Sequence, residues 1–108
     1  MRFKTAFALA VARVLRNRNL NRIEAAGIEN KSLFVSYVKN NGDVINRKVD
    51  PYETKPHRKT GRMMVYLTDD KDGPSQIKSY IADRIRSASK PQEEFEPHWP
   101  VKYEGSEE

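Results

Sequence analysis

The sequence predicts a small α+β protein, mainly β, in which one N-terminal amphipathic helix precedes about five short strands that curl into a sheet or barrel. Three observations predict it. Apolar residues recur at helical spacing near the N-terminus. After Gly27 the pattern changes to residue-by-residue alternation, and Asn-Gly, Pro and Asp-Gly signals then interrupt the chain at short intervals. With 108 residues the chain is long enough for one small core and too short for a two-domain enzyme built on a cofactor fold.

The helix is read from Phe3, Phe7, Ala10, Val11, Val14 and Leu15, which form an apolar stripe over residues 3–17. Asn17–Asn21 is weak helix sequence and reads as an end or a joint. Arg22–Ala26 adds a turn, and Gly27 is the expected stop. Leu33–Lys39 is the first strand, with Val35, Tyr37 and Lys39 on one face and Phe34, Ser36 and Val38 on the other. Asn41-Gly42 suits a two-residue hairpin turn. Val44–Val49 returns as the second strand, and Pro51, which has no N–H to donate, is expected to end it. Tyr52–Gly61 is polar and reads as a loop, Met63–Thr68 as a buried strand, and Asp69–Pro74 as a hydrophilic turn. Gln76–Ala82 and Arg84–Ser87 are two further strands or one bent strand. Residues 1–30 are thus the helical part, 31–90 the β body and 91–108 an acidic, aromatic tail whose last five residues should be disordered. Phe95, Trp99 and Tyr103 recur every four residues there and suit a clip onto the body or onto a partner.

The formal net charge is +5, unevenly placed. Residues 1–62 hold 14 Lys and Arg against 5 Asp and Glu, whereas residues 63–108 hold 6 against 10. A basic half of this kind is the footprint expected of a surface that meets a polyanion. The chain has no cysteine, which excludes disulfides, thiolate metal sites and cysteine nucleophiles and suits a reducing cytoplasm. His57 and His98 stand alone, without metal-ligand spacing. No stretch approaches the ~20 apolar residues that span a bilayer, and Arg13 and Arg16 interrupt what would be a signal-peptide core. No G-x-G-x-x-G, phosphate-binding loop or paired His and carboxylate appears, so neither a cofactor nor catalysis is expected.

Residues 33–90 resemble the WYL domain, a small SH3-like (Sm-like) β-barrel of bacterial and phage regulators. The resemblance rests on four elements in order. A strand ends in Val35-Ser36-Tyr37, a second carries Arg47, Val49 and Pro51, the tripeptide Val65-Tyr66-Leu67 stands at the eponymous position, and the segment Lys78-Ser79-Tyr80-Ile81-Ala82-Asp83-Arg84-Ile85 follows. Val65 replaces the family's Trp, Lys78 its first Arg of the last motif and Ile81 its second. Family members often carry a winged-helix DNA-binding domain ahead of the barrel; only residues 1–30 stand there in this chain. The resemblance therefore implies a stand-alone sensor or accessory module that binds nucleic-acid fragments or nucleotides on a basic patch and switches a partner's activity.

On this reading the ligand-binding residues are Ser36, Tyr37, Arg47, His57, Arg58, Lys78, Tyr80 and Arg84. Arg84 suits bidentate phosphate capture and Lys78 a point charge. Tyr37 stacks a base if it faces outward; if it faces inward it is a core aromatic and Ser36 becomes the exposed neighbour. Arg47 stands at the family position, His57 and Arg58 lie in the densest basic cluster, and Tyr80 lies between Lys78 and Arg84. The structural alternatives are an Arg84 ion pair with Asp83 or a C-terminal Glu, and a simply solvated loop at His57–Lys59. The competing functional class is a protein–protein module whose basic half docks on an acidic partner, or which forms a homodimer through the helix stripe or the aromatic tail. A third expectation is that the acidic tail folds over the basic patch as a polyanion mimic.

Overall fold

The computed structural model describes residues 16–103. Helix α1 occupies 16–28, followed by five strands: β1 Leu33–Val38, β2 Val44–Pro56, β3 Met63–Asp69, β4 Gly73–Ile81 and β5 Ile85–Ala88. A single 3-10 turn, Ala82–Arg84, joins β4 to β5. The strands form one antiparallel sheet in the order β4-β3-β2-β1-β5. The stripe expected from Phe3 to Leu15 and the last five residues lie outside the described residues.

The sheet is curled but open, not the closed barrel expected. The last strand returns to pair with the first, and no ladder joins β4 to β5 among the described residues. The 3-10 turn leaves a gap that side chains span. The Tyr37 and Tyr80 rings, on β1 and β4, stack at 4.3 Å between centroids, and the Ile81 N–H donates to the Tyr37 hydroxyl at 3.1 Å.

Three local expectations change. Asn17–Asn21 is helical, because tertiary contacts override weak propensity. Buried Asn19 donates from Nδ2 to the Ile85 carbonyl at 3.0 Å, Arg22 to the Ala88 carbonyl at 2.7 Å, and Arg16 pairs with Asp83 at 3.3 Å. These contacts tie α1 to β5 and to the 3-10 turn before it, and cover that edge strand. Gly27 does not end the helix. Asn30 takes the left-handed position (φ 54°), with Lys31 N–H on the Ala26 carbonyl and Asn30 N–H on the Gly27 carbonyl, a Schellman ending. The hairpin turn has three residues, Asn40 to Gly42, and only Gly42 has positive φ.

Pro51 does not end β2. The strand's first half pairs with β1, up to Leu33 opposite Val49, and its second half pairs with β3 from Val49 to Pro56. Beyond Val49 the β1 side of β2 has no strand partner, so a residue without an N–H is tolerated. A bulge between Pro51 and Glu53 bends the strand there.

The C-terminal segment takes over that open side. Ser32 N–H donates to the Glu93 carbonyl, Gln92 N–H to Ser32, Phe95 N–H to Asn30 and Lys102 N–H to Tyr52. Val101 and Tyr103 are buried and join Ile23, Ala26, Leu33, Val35, Val49, Val65 and Leu67 in one core, with Phe95 packed against it. Residues 91–103 therefore form a strap integral to the core, which satisfies backbone groups and buries apolar area together. No helix among the described residues is long and apolar enough to cross a membrane.

Candidate functional site

Alternation gives the β5–β1–β2 part of the sheet two distinct faces. Leu33, Val35 and Tyr37 of β1 lie on the inner face with Val49 and Arg47 of β2 and with Ala88 and Ile85 of β5. Phe34, Ser36 and Val38 lie on the outer face, opposite Lys48, Asn46 and Val44, with Ser87 beside Ser36.

Four of the expected site residues gather on the inner face: Lys78 and Tyr80 bond the Asp69 carboxylate, Tyr37 stacks on Tyr80, and the charge of Arg47 acts on the Tyr80 phenol. Asp69 is the residue that sequence reasoning missed, because DDKDG reads as a solvated turn. Its side chain is 1% exposed. Asp69 Oδ2 accepts from Lys78 Nζ at 3.1 Å and from the Tyr80 hydroxyl at 2.9 Å, and Oδ1 accepts from the Asp72 N–H at 3.0 Å. Lys78 also contacts the Asp72 carboxylate. Burial alone would raise the Asp69 carboxyl, but the bonds from Asp72, Lys78 and Tyr80 outweigh it and hold it below the ordinary Asp value. The Asp72 carboxylate, helped by Asp69, raises Lys78 against its partial desolvation. Burial raises the Tyr80 phenol, and the Asp69 hydrogen bond and charge raise it further, while the charge of Arg47 pulls the other way. Arg47 donates from Nη1 to the Asn46 carbonyl at 3.0 Å, and its Nε is buried with no partner among the described residues. Lys78 and Tyr80 thus spend their donors on Asp69, and Tyr37 stacks on Tyr80 rather than toward solvent. This cluster fastens the curled end of the sheet.

The other expected residues are dispersed. Ser36 is on the outer face and donates to Asn46 Oδ1. His57 folds into the β2–β3 turn, its Nδ1 accepting from the Lys59 and Thr60 N–H groups at 3.2 and 3.4 Å. Arg58 is exposed at the tip of that turn. Eight residues of extended chain, Val49 to Pro56, separate Lys48 from His57, on the order of 30 Å along a bent strand, so the turn does not join the outer face of β1. Arg84 ends the 3-10 turn and makes no ion pair or hydrogen bond among the described residues; its neighbour Asp83 pairs with Arg16 instead.

The outer face has its own character. Phe34 is 51% exposed, with Lys48 directly across from it. Phe34, Ser36, Asn46, Ser87 and Ser89 line a shallow groove of about 310 Å³. Ser89 fixes the strand edge there: its Oγ accepts from the Phe34 N–H at 2.9 Å, and its own N–H donates to the Phe34 carbonyl. A bulge opposite Ser36–Tyr37 leaves Arg86 unpaired in the ladder, and both Arg86 and Lys90 are exposed. Lys48 itself pairs with Glu93 of the strap at 2.7 Å. The signal for Phe34 was in the alternation, but with apolar residues on both faces of β1 the pattern alone could not say which face the core covers.

No group of three or more His, Cys, Asp or Glu side chains that could hold a metal ion occurs among the described residues. No family model, curated protein or solved structure matches the chain.

Proposed function

We propose that the chain is a non-catalytic regulatory module that binds single-stranded nucleic acid or a nucleotide on the outer face of β5–β1–β2. The observation that carries this reading is Phe34, a half-exposed aromatic ring near the start of β1, flanked by hydroxyl and amide groups, with Lys48 across from it and the exposed cations Arg86 and Lys90 on and just after the neighbouring strand β5. A ring of this kind offers a stacking surface to any base at about 1–3 kcal/mol per base, and the surrounding cations meet the backbone. Ser36 and Asn46 supply polar contacts to base edges or sugar. The return of the fifth strand to the first is the connection an SH3-like barrel needs, which supports the WYL-like resemblance. Of the residues the sequence singled out, Ser36 belongs to this surface, while Tyr37, Lys78 and Tyr80 act behind it as its support.

The test is fluorescence anisotropy of a labelled oligothymidylate of about 12 nucleotides, a length within the site sizes of small single-strand-binding folds. Binding should weaken as salt rises, with Phe34→Ala lowering affinity by about 1–3 kcal/mol and Arg86→Ala flattening the salt slope by about one unit. Unchanged affinity in Phe34→Ala would remove the outer face from the site.

One observation favours a second reading. Phe34 and, beyond the Ser36–Asn46 pair, Val38 and Val44 share one face, with Phe34 51% and Val44 47% exposed, which also suits a protein partner or a second copy. A dimer in light scattering that Phe34→Asp dissociates, with no oligonucleotide binding at low salt, would establish that reading instead.

A further inference from the structure

The strap builds a second concave feature, remote in residue content from the Phe34 face. A cavity of about 480 Å³ is lined by Asn30, Glu96, Pro97, His98, Trp99 and Pro100. This is the size range of pockets that take a small molecule or a large side chain. Its aromatic wall is held in place from behind. Trp99 stands edge-on against Tyr52, with centroids 5.6 Å apart and 76° between planes, and the Tyr52 hydroxyl accepts from the His98 N–H at 3.0 Å. Trp99 remains 39% exposed, against a fixed support.

Two groups of the cavity are acceptors without a cationic partner among the described residues, the Asn30 amide oxygen and the Glu96 carboxylate, beside the donor-bearing rings of His98 and Trp99. Asn30 is locked in the left-handed conformation, with its carbonyl bonded to the Phe95 N–H at 2.9 Å. Its side-chain Oδ1 is buried and has no hydrogen-bond partner among the described residues. A buried acceptor of this kind calls for a donor. The Glu96 carboxylate makes no ion pair among the described residues, and Glu93 and Glu94 precede it. Residues 91–108 hold six glutamates and one lysine. A carboxylate, an unpartnered amide oxygen and an aromatic ring together complement a cationic donor.

We propose that this cavity receives a lysine or arginine side chain from a basic peptide segment of a partner protein. The ammonium or guanidinium lies on the Trp99 ring, donates to Asn30 Oδ1 and pairs with Glu96. The site shares no lining residue with the outer-face groove, so it stands or falls independently of nucleic-acid binding.

Trp99 is the only tryptophan in the chain, so its emission reports on the cavity directly. The full chain is titrated with an acetylated, amidated Gly-Arg repeat hexapeptide, with the Gly-Glu repeat as control. A saturable change in emission is expected with the Arg peptide alone. Glu96→Gln should weaken it about tenfold, as expected for the loss of a charged hydrogen-bond acceptor, while the thermal midpoint stays unchanged because Glu96 is exposed. Asn30→Asp, which adds a carboxylate at the buried acceptor, should tighten it. The proposal is overturned if the Arg peptide leaves Trp99 emission unmoved. It is equally overturned if Glu24→Gln, an exposed helix position outside the cavity lining, weakens binding as much as Glu96→Gln, since the attraction would then be diffuse, or if oligothymidylate moves the emission and the peptide does not.

Discussion

Gly27 offers the sharpest test of how the strap is held. A Cβ placed on it would stand 2.1 Å from Cδ2, 2.5 Å from Cε2 and 2.9 Å from Cγ of Tyr103. Carbon atoms in contact prefer about 3.5–4.0 Å, so in Gly27→Ala the Tyr103 ring must retreat by roughly 1.5 Å. It cannot do so freely, because the ring is 7% exposed and its hydroxyl is 2.7 Å from Thr54 Oγ1. Overpacking of this kind costs about 1–3 kcal/mol. Alanine's better helix propensity returns up to about 1 kcal/mol of that. The net expectation is a loss of about 1–2 kcal/mol, or a fall of about 5–15 °C in the thermal midpoint of a domain this size. Urea unfolding of a double-mutant cycle separates the two terms. In a Tyr103→Ala background the clash is gone, and Gly27→Ala should become stabilising by about 0.5–1 kcal/mol. The same destabilisation in both backgrounds would show that the ring is not what excludes a side chain at this position.

Asp69 is expected to contribute to the acid limb of the sheet's stability. Its carboxyl is held low, so its contribution is complete above about pH 4 and is lost as pH falls through the folded-state value; Lys78 and Tyr80 are raised, so theirs is complete below about pH 10 and is lost as pH rises through theirs. Asp69→Asn should cost about 2–3 kcal/mol at neutral pH, at the lower end for a buried charge partner because Lys78 keeps Asp72 and is part-exposed, and should flatten the acid limb of the urea midpoint; an unaltered acid limb would assign that limb to other carboxylates. Deleting residues 91–108 removes Phe95, Val101 and Tyr103 from the core and unpairs the backbone at Ser32 and Tyr52, a loss comparable to the whole stability of a small domain, so cooperative thermal unfolding should disappear. An unchanged midpoint would make the segment a hook for a partner instead of part of the fold. Gly42 has φ 90°, and a Cβ there would meet nothing within 4 Å, so Gly42→Ala should cost about 1–2 kcal/mol through backbone strain alone, and Gly42→Asn less; equal stability of all three would contradict a left-handed turn.

The presence of the strands along the chain was legible because β1 and β3 carry alternating or continuous apolar runs bounded by turn signals. What misled were residues whose meaning depends on distant partners. Asn19 reads as a helix breaker, yet its amide is consumed by the Ile85 carbonyl, 66 residues away. Pro51 reads as a strand end, yet β2 continues because its other neighbour, β3, begins to pair where β1 stops. Gly27 reads as a cap, yet it is small because Tyr103 lies against it, while Asn30 supplies the left-handed residue. In each case a local propensity is overridden by a contact that no window of neighbouring residues contains.

The same dependence separates charge from charge that is available. Lys78 and Arg84 look alike in sequence, both basic and both in the segment that resembles a phosphate-binding motif. Lys78 faces two carboxylates, and a phosphate would have to displace Asp69, whose own burial makes its release unfavourable. Arg84 and Arg86 carry no such partner among the described residues, and Arg86 sits on the strand that borders Phe34. An anion arriving at the sheet therefore meets fewer competing carboxylates at β5 than at β4, although the sequence weighted β4 as heavily. Lys48 is intermediate: its partner Glu93 is 72% exposed, and an exposed pair of this kind is worth about 0–1 kcal/mol, little enough for a polyanion to exchange. Glu93 also anchors the strap through its carbonyl to Ser32, so losing the side-chain pair need not release the backbone. Nucleic acid bound beside Phe34 would thus exchange a weak carboxylate contact on Lys48 while leaving the strap and its backbone bonds in place.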